Sequence, residues 1–138
     1  MLRKVYKDLF HLAGISGYEK NVRSYMKSFM EKYDNYDIVQ DRLGSIFAVK
    51  KAKDPEAPVV MVAGHMDEVG MMVVGITKNG MLKLQAIGGL IGEVFVSQVM
   101  NIHTKKGVIK GVIGAIPPHL KAEQTTKIDE LILDIGAT

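Results

Sequence analysis

Apolar residues near the start of the chain recur at helical spacing. Leu2, Val5, Tyr6, Leu9, Phe10, Leu12 and Ala13 share one side, and Arg3, Lys4, Lys7 and Asp8 take the other, which predicts a helix over 2–13 ending near Gly14. Ser16 lies three residues before Glu19, the form of a capping box. A second helix is therefore expected over 17–32, with Val22, Tyr25, Met26 and Phe29 inward and Lys20, Arg23, Lys27 and Glu31 outward. After a turn at 34–37, two short apolar segments (Ile38-Val39 and Ile46 to Val49) flank Asp41 to Ser45 and read as a hairpin. The loop from Asp54 to Pro58 carries two prolines, which cannot continue a ladder.

Val59-Val60-Met61-Val62-Ala63 is an unbroken apolar run, which predicts a strand buried on both faces. Beyond Gly70 the pattern becomes short strands between turns: 69–77, 81–87, 94–103, 108–115 and 131–135. Asn79-Gly80 and Lys105-Lys106-Gly107 supply hairpin bends. Such spacing predicts a small antiparallel barrel or sandwich, with a domain boundary at about residue 70.

The chain has 138 residues, 47% hydrophobic and 24% charged, the composition of a soluble globular protein. No stretch of about 18 apolar residues exists, and no signal peptide is read, so neither a membrane span nor export is expected. The net charge of +3 is spread over scattered Lys and Arg, and no basic stripe interleaves with aromatics to bind nucleic acid. Cysteine is absent, which removes thiolate ligands, leaves His, Asp and Glu as metal donors, and makes the cytoplasm the default location.

Chemistry concentrates at the end of the apolar run, where His65, Asp67 and Glu68 fall within four positions. Open α/β sheets place their ligands at the carboxyl ends of strands. In an extended backbone His65 and Asp67 point to one side, and a metal-binding imidazole gives its other N–H to such a carboxylate. The plainer alternative is a strand-end histidine satisfied by its neighbour. His11 and His103 read as ordinary helix-surface and strand-end residues, and His119 as a turn residue rather than a second ligand or a contact to a neighbouring subunit. Gly88-Gly89 and Gly92 lack the Lys-bearing helix of a phosphate loop, and the nine methionines read as core filling.

Gly64-His65-Met66-Asp67-Glu68-Val69-Gly70 resembles the first metal-ligand motif of the M42 family of metallo-aminopeptidases, which includes glutamyl and deblocking aminopeptidases and tetrahedral particles. Gly14-Ile15-Ser16-Gly17-Tyr18-Glu19, Asp41-Arg42-Leu43-Gly44-Ser45, Ala86-Ile87-Gly88-Gly89 and the stretch from Gly111-Val112-Ile113-Gly114 to Pro117-Pro118-His119 resemble the same family in the same order. Ser45 stands where the family often has Asn. The resemblance implies an α/β fold: residues 1–70 as the amino-terminal part of a zinc-peptidase-like catalytic domain, and 71–138 as an inserted antiparallel β-barrel dimerisation domain, incomplete at its carboxyl end.

The resemblance also implies two divalent metal ions, Zn or Co, with a separate Glu as general base and a peptide losing amino-terminal residues as substrate. Only two positions transfer: His65 as a metal ligand, and Asp67 as the catalytic-site carboxylate that orients it. The other ligands belong to later sequence, so the chain reads as about 40% of a family member, inactive by itself. A homo-oligomer, dimer or dodecamer, is expected, or a carboxyl-terminal half from another chain. The alternative reading is a non-enzymatic oligomerisation or peptide-binding β module that uses strand addition. A third, an endoglucanase, would need Asp67 and Glu68 to cooperate, although neighbours on an extended segment face opposite ways.

Overall fold

The structure is a computed structural model that describes residues 2–114, 117–120 and 126–137. It is mixed α/β and divides into two compact units, 1–68 and 69–138. Ala115, the last residue of one expected strand, lies outside the described residues.

In the first unit, helix α1 spans Leu2–Phe10 and α2 spans Lys20–Met30. The Tyr25 hydroxyl of α2 donates to Asp8 Oδ2 of α1 at 3.0 Å. Val22 is the buried residue of α2, and Tyr25, Met26 and Phe29 are half-buried beside it. The capping box does not form. Residues 15–18 make a turn closed by Tyr18 N–H to Ile15 O at 2.8 Å, with Gly17 at φ +83°. A positive φ at that position suits a type II turn and cannot belong to a helix, so α2 starts three residues later than its apolar pattern suggests. Glu19 accepts from the Gly17 N–H at 2.6 Å, and the Ser16 hydroxyl is engaged elsewhere.

Strands β1 (Asp37–Gln40) and β2 (Ile46–Val49) form the expected antiparallel hairpin. Its bend is organised by Asp41, whose Oδ1 accepts from the N–H groups of Leu43, Gly44 and Ser45 at 2.8–2.9 Å. Gly44 sits at φ +102°, a conformation L side chains rarely adopt.

The buried strand expected at 59–63 is not formed. Residues 58–67 carry no regular secondary structure, and Val59 and Val62 are 98% and 96% exposed. A strand needs a hydrogen-bonded neighbour, and β1 and β2 pair only with each other. The apolar run therefore has β-forming composition but nothing to pair with among the described residues.

The second unit is a five-stranded antiparallel sheet in the order β3-β4-β7-β6-β5: β3 Gly70–Ile76, β4 Leu82–Ile87, β5 Val99–Thr104, β6 Gly107–Gly114 and β7 Ile132–Asp134. The sheet's core is read directly from alternation in β4, where Leu82 and Leu84 are buried and Lys83 and Gln85 exposed. Leu133 of β7 pairs with Leu82 on one side and Ile113 on the other, making a buried row across three strands. Burying a side chain of this size contributes about 1.5–3 kcal/mol. β3 and β5 end the strand order among the described residues. A register shift between Val73 and Gly75 puts a bulge in β3, a device that discourages further pairing at an edge.

The strand expected at 94–103 begins only at Val99. A 3-10 turn occupies Gly92–Phe95, and Ser97 takes φ +66°. Gly92 passes so close to Thr126 that an added Cβ would collide with its carbonyl oxygen, and the chain turns there instead of extending.

Gly92→Ala is therefore expected to destabilise the protein by about 1–3 kcal/mol, whereas Gly89→Ala, where a Cβ meets nothing within 4 Å, stays within about 0.5 kcal/mol of the parent; thermal unfolding of the two variants checks this. The Asp41 carboxyl is held below the usual carboxylate range by the Ser45 side chain first and then by the backbone N–H groups of the bend. A depressed folded value gives a contribution that is complete above the unfolded value, about pH 4, and lost as pH falls through the folded one. Acidification followed at the amides of residues 43–45 should loosen the bend below about pH 4, and Asp41→Asn should remove that dependence.

Candidate functional site

The segment carrying His65, Asp67 and Glu68 is fixed by pairing with the loop after α1. Glu68 N–H donates to Gly14 O at 2.8 Å, and Gly14 N–H donates to Glu68 Oε1 at 3.0 Å. Ile15 and Glu68 form an isolated parallel bridge. Gly14 is buried, and a Cβ there would stand 2.6 Å from Val22 Cγ2, so the close approach to α2 requires glycine. Glu68 thus closes a backbone ring, a role that its place beside His65 and Asp67 gives no sign of.

His65 and Asp67 come together as their spacing suggests. His65 Nδ1 lies 3.0 Å from Asp67 Oδ1 and 3.0 Å from the Asp67 backbone oxygen. Both oxygens only accept, so Nδ1 carries the proton, and Nε2 of the neutral ring keeps its lone pair. The His65 side chain is 85% exposed, and among the described residues no hydrogen bond occupies Nε2. The other Asp67 oxygen, Oδ2, accepts from the Ser16 hydroxyl at 2.5 Å. The Ser16 hydroxyl, and after it the His65 ring, holds the Asp67 carboxyl below the usual carboxylate range, against a smaller opposing effect of desolvation.

The order Ser16, Asp67, His65 is not that of a hydrolytic triad, in which serine bonds to the imidazole and the carboxylate lies behind it. Asp67 and Glu68 engage different partners, Ser16 with His65 in one case and Gly14 in the other. His11 is exposed and its Nδ1 donates to Lys7 O at 2.7 Å. His103 is an exposed residue of β5, and His119 lies exposed in a 3-10 turn at 118–120. Two of the three glycines weighed as a phosphate loop have backbone explanations: Gly88, at φ +86°, packs on Val69, and Gly92 packs on Thr126.

A catalytic zinc takes three protein ligands and one open position. Among the described residues no three His, Asp or Glu side chains converge to hold an ion, so the donor chemistry fits one corner of a metal site: an imidazole with a free Nε2 and a carboxylate behind it.

Comparison with known structures gives the class. The chain matches the TET aminopeptidase of a marine sediment thaumarchaeon with a TM-score of 0.89 and 34% identity, covering 99% of this chain and 38% of that one. It matches the TET1 peptidase of Pyrococcus horikoshii, which assembles into a tetrahedron or a large octahedral shell, with a TM-score of 0.82 and 30% identity, covering 99% and 41%. The fold is that of the matched portion, about two fifths, of these TET aminopeptidase chains. At the level of sequence, residues 44–138 match the family model of M42 glutamyl aminopeptidases. The lysyl aminopeptidase of Pyrococcus furiosus is 37% identical over 98% of this chain and 40% of its own length. The chain belongs to the M42 family, and it spans about 40% of the length of the curated relatives it matches.

Glu68→Ala should lower the melting temperature and speed amide exchange at Gly14, whereas Glu68→Gln, which keeps an acceptor oxygen, should leave both near the parent values; hydrogen exchange followed by NMR reads the difference.

Proposed function

We propose that this chain is the amino-terminal part of a dinuclear metal-dependent aminopeptidase that removes amino-terminal residues from peptides, and that it contributes His65 as a metal ligand with Asp67 as the carboxylate orienting it. The observation that carries this reading is the 3.0 Å contact from His65 Nδ1 to Asp67 Oδ1 on a ring that is 85% exposed. A pair of divalent ions, zinc or cobalt, at such a site supplies Lewis acidity toward a peptide carbonyl and a nucleophile near neutral pH. The residues of this chain set the donor. Asp67 keeps the proton on Nδ1, aims the ring, and raises the basicity of Nε2. The remaining ligands and the general base are assigned to sequence outside these 138 residues, in keeping with the 40% span of the relatives.

In this reading residues 1–70 are the front of the catalytic α/β domain, and 71–138 are an inserted barrel-like domain serving dimerisation. Homo-oligomerisation is supported by the exposed apolar run at Val59–Val62 and by the shells formed by the Pyrococcus horikoshii TET1 peptidase. A cytoplasmic setting is supported by the lack of cysteine, and no helix among the described residues is long and apolar enough to cross a membrane. The edge strand β5, which carries no register shift, favours the second reading, a module that binds peptide or another copy by strand addition.

The test joins this chain to the sequence that follows residue 138 in its gene and assays hydrolysis of aminoacyl anilides. Activity should disappear in chelator and return with zinc or cobalt, and His65→Ala should lower kcat/KM by roughly 100-fold or more. Full activity in chelator would overturn the reading, and no activity under any metal would favour the binding module.

A further inference from the structure

A carboxylate turns about its last torsion in a broad, roughly two-fold well, and an exposed ion pair by itself holds geometry weakly. Asp67 is more than a third exposed, so the contact to His65 alone does not fix which way its oxygens face. A second anchor is present. Ser16 Oγ donates to Oδ2 at 2.5 Å while Oδ1 faces His65 Nδ1 at 3.0 Å, so each oxygen has its own partner. Ser16 in turn is presented rigidly. It occupies the second position of the turn closed by Tyr18 N–H to Ile15 O, Gly17 at φ +83° fixes the turn's hand, and Ile15 is bridged to Glu68.

We propose that Ser16 is a positioning residue for His65, acting through Asp67: its hydroxyl pins one carboxylate oxygen so that the other stays on Nδ1 and Nε2 is left bare for an ion. The proposal rests on the reading of His65 as a ligand, but the geometry it claims belongs to the metal-free chain and is measurable there. The tight turn is then part of the donor's construction, although Ser16 touches neither ion nor substrate.

The experiment uses the metal-free 138-residue chain, labelled with nitrogen-15, at about pH 8, where an ordinary imidazole is neutral. Long-range proton–nitrogen NMR separates the two ring tautomers, and His65→Gln identifies the His65 signals. The parent and Ser16→Thr, which keeps a hydroxyl, should hold His65 in the Nδ1–H form. Ser16→Ala and Ser16→Gly should shift it toward the Nε2–H form that free histidine favours, with backbone amide spectra verifying the fold. In the chain joined to the sequence that follows residue 138, Ser16→Ala should lower cobalt affinity by roughly 10-fold. An unchanged tautomer in a folded Ser16→Ala or Ser16→Gly chain overturns the proposal, as does loss of the Nδ1–H form in Ser16→Thr. A tautomer shift in the 138-residue chain, together with full metal-dependent activity of the joined chain carrying His65→Ala, upholds the positioning role and counts instead against His65 as a ligand.

Discussion

Two hydrogen bonds between Gly14 and Glu68, at 2.8 and 3.0 Å, decide where the chemistry of this chain sits. The segment before His65 has no ladder and no burial to hold it, so without that pairing His65 and Asp67 would lie on an untethered loop. The pairing is possible because Gly14 lacks a side chain and so fits against Val22 of α2. A sequence of contacts follows: α2 positions Gly14, Gly14 positions Glu68, and the turn at 15–18 brings the Ser16 hydroxyl to the carboxylate behind the imidazole. In the proposed metal site Asp67 is the group that orients His65, and Asp67 is itself held by Ser16 from the turn at 15–18.

The β unit depends on a different constraint. Its two hairpins, β3–β4 and β5–β6, are neighbours in sequence but are not paired with each other. They are joined by β7, three residues long, whose Leu133 lies between Leu82 and Ile113. The sheet is therefore completed only when β7 pairs with both. Contacts of such sequence separation close late in folding, because the entropy of the intervening loop must be met first.

What was legible in the sequence was what is local. The Asp41–Gly44 bend, the Asn79-Gly80 hairpin and the alternation of Leu82 and Leu84 with Lys83 and Gln85 are set by residues within a few positions of one another. The His65–Asp67 pair was legible for the same reason, being two residues apart. Ser16 and Glu68 were not, because their partners lie 51 and 54 residues away. Ser16 and Glu19 satisfy the capping-box spacing, and the positive φ of Gly17 overrides it. The run at Val59–Ala63 has the composition of an interior strand, but composition cannot supply the neighbour on which a strand depends. Val94 to Gln98 instead enter a 3-10 turn over Gly92–Phe95 and a positive φ at Ser97, which leave no mark on periodicity.

The bare valines at 59, 60 and 62 also bear on how the polypeptide survives in concentrated solution. A short, uncharged window of β-branched residues with unpaired backbone is the composition that stacks into fibrils. This chain brackets the window with Pro58 on one side and Asp67-Glu68 on the other, the ring and charges that act as gatekeepers against stacking. Asp67 and Glu68, which hold His65 and Gly14 respectively, thus also guard the segment that leads to them.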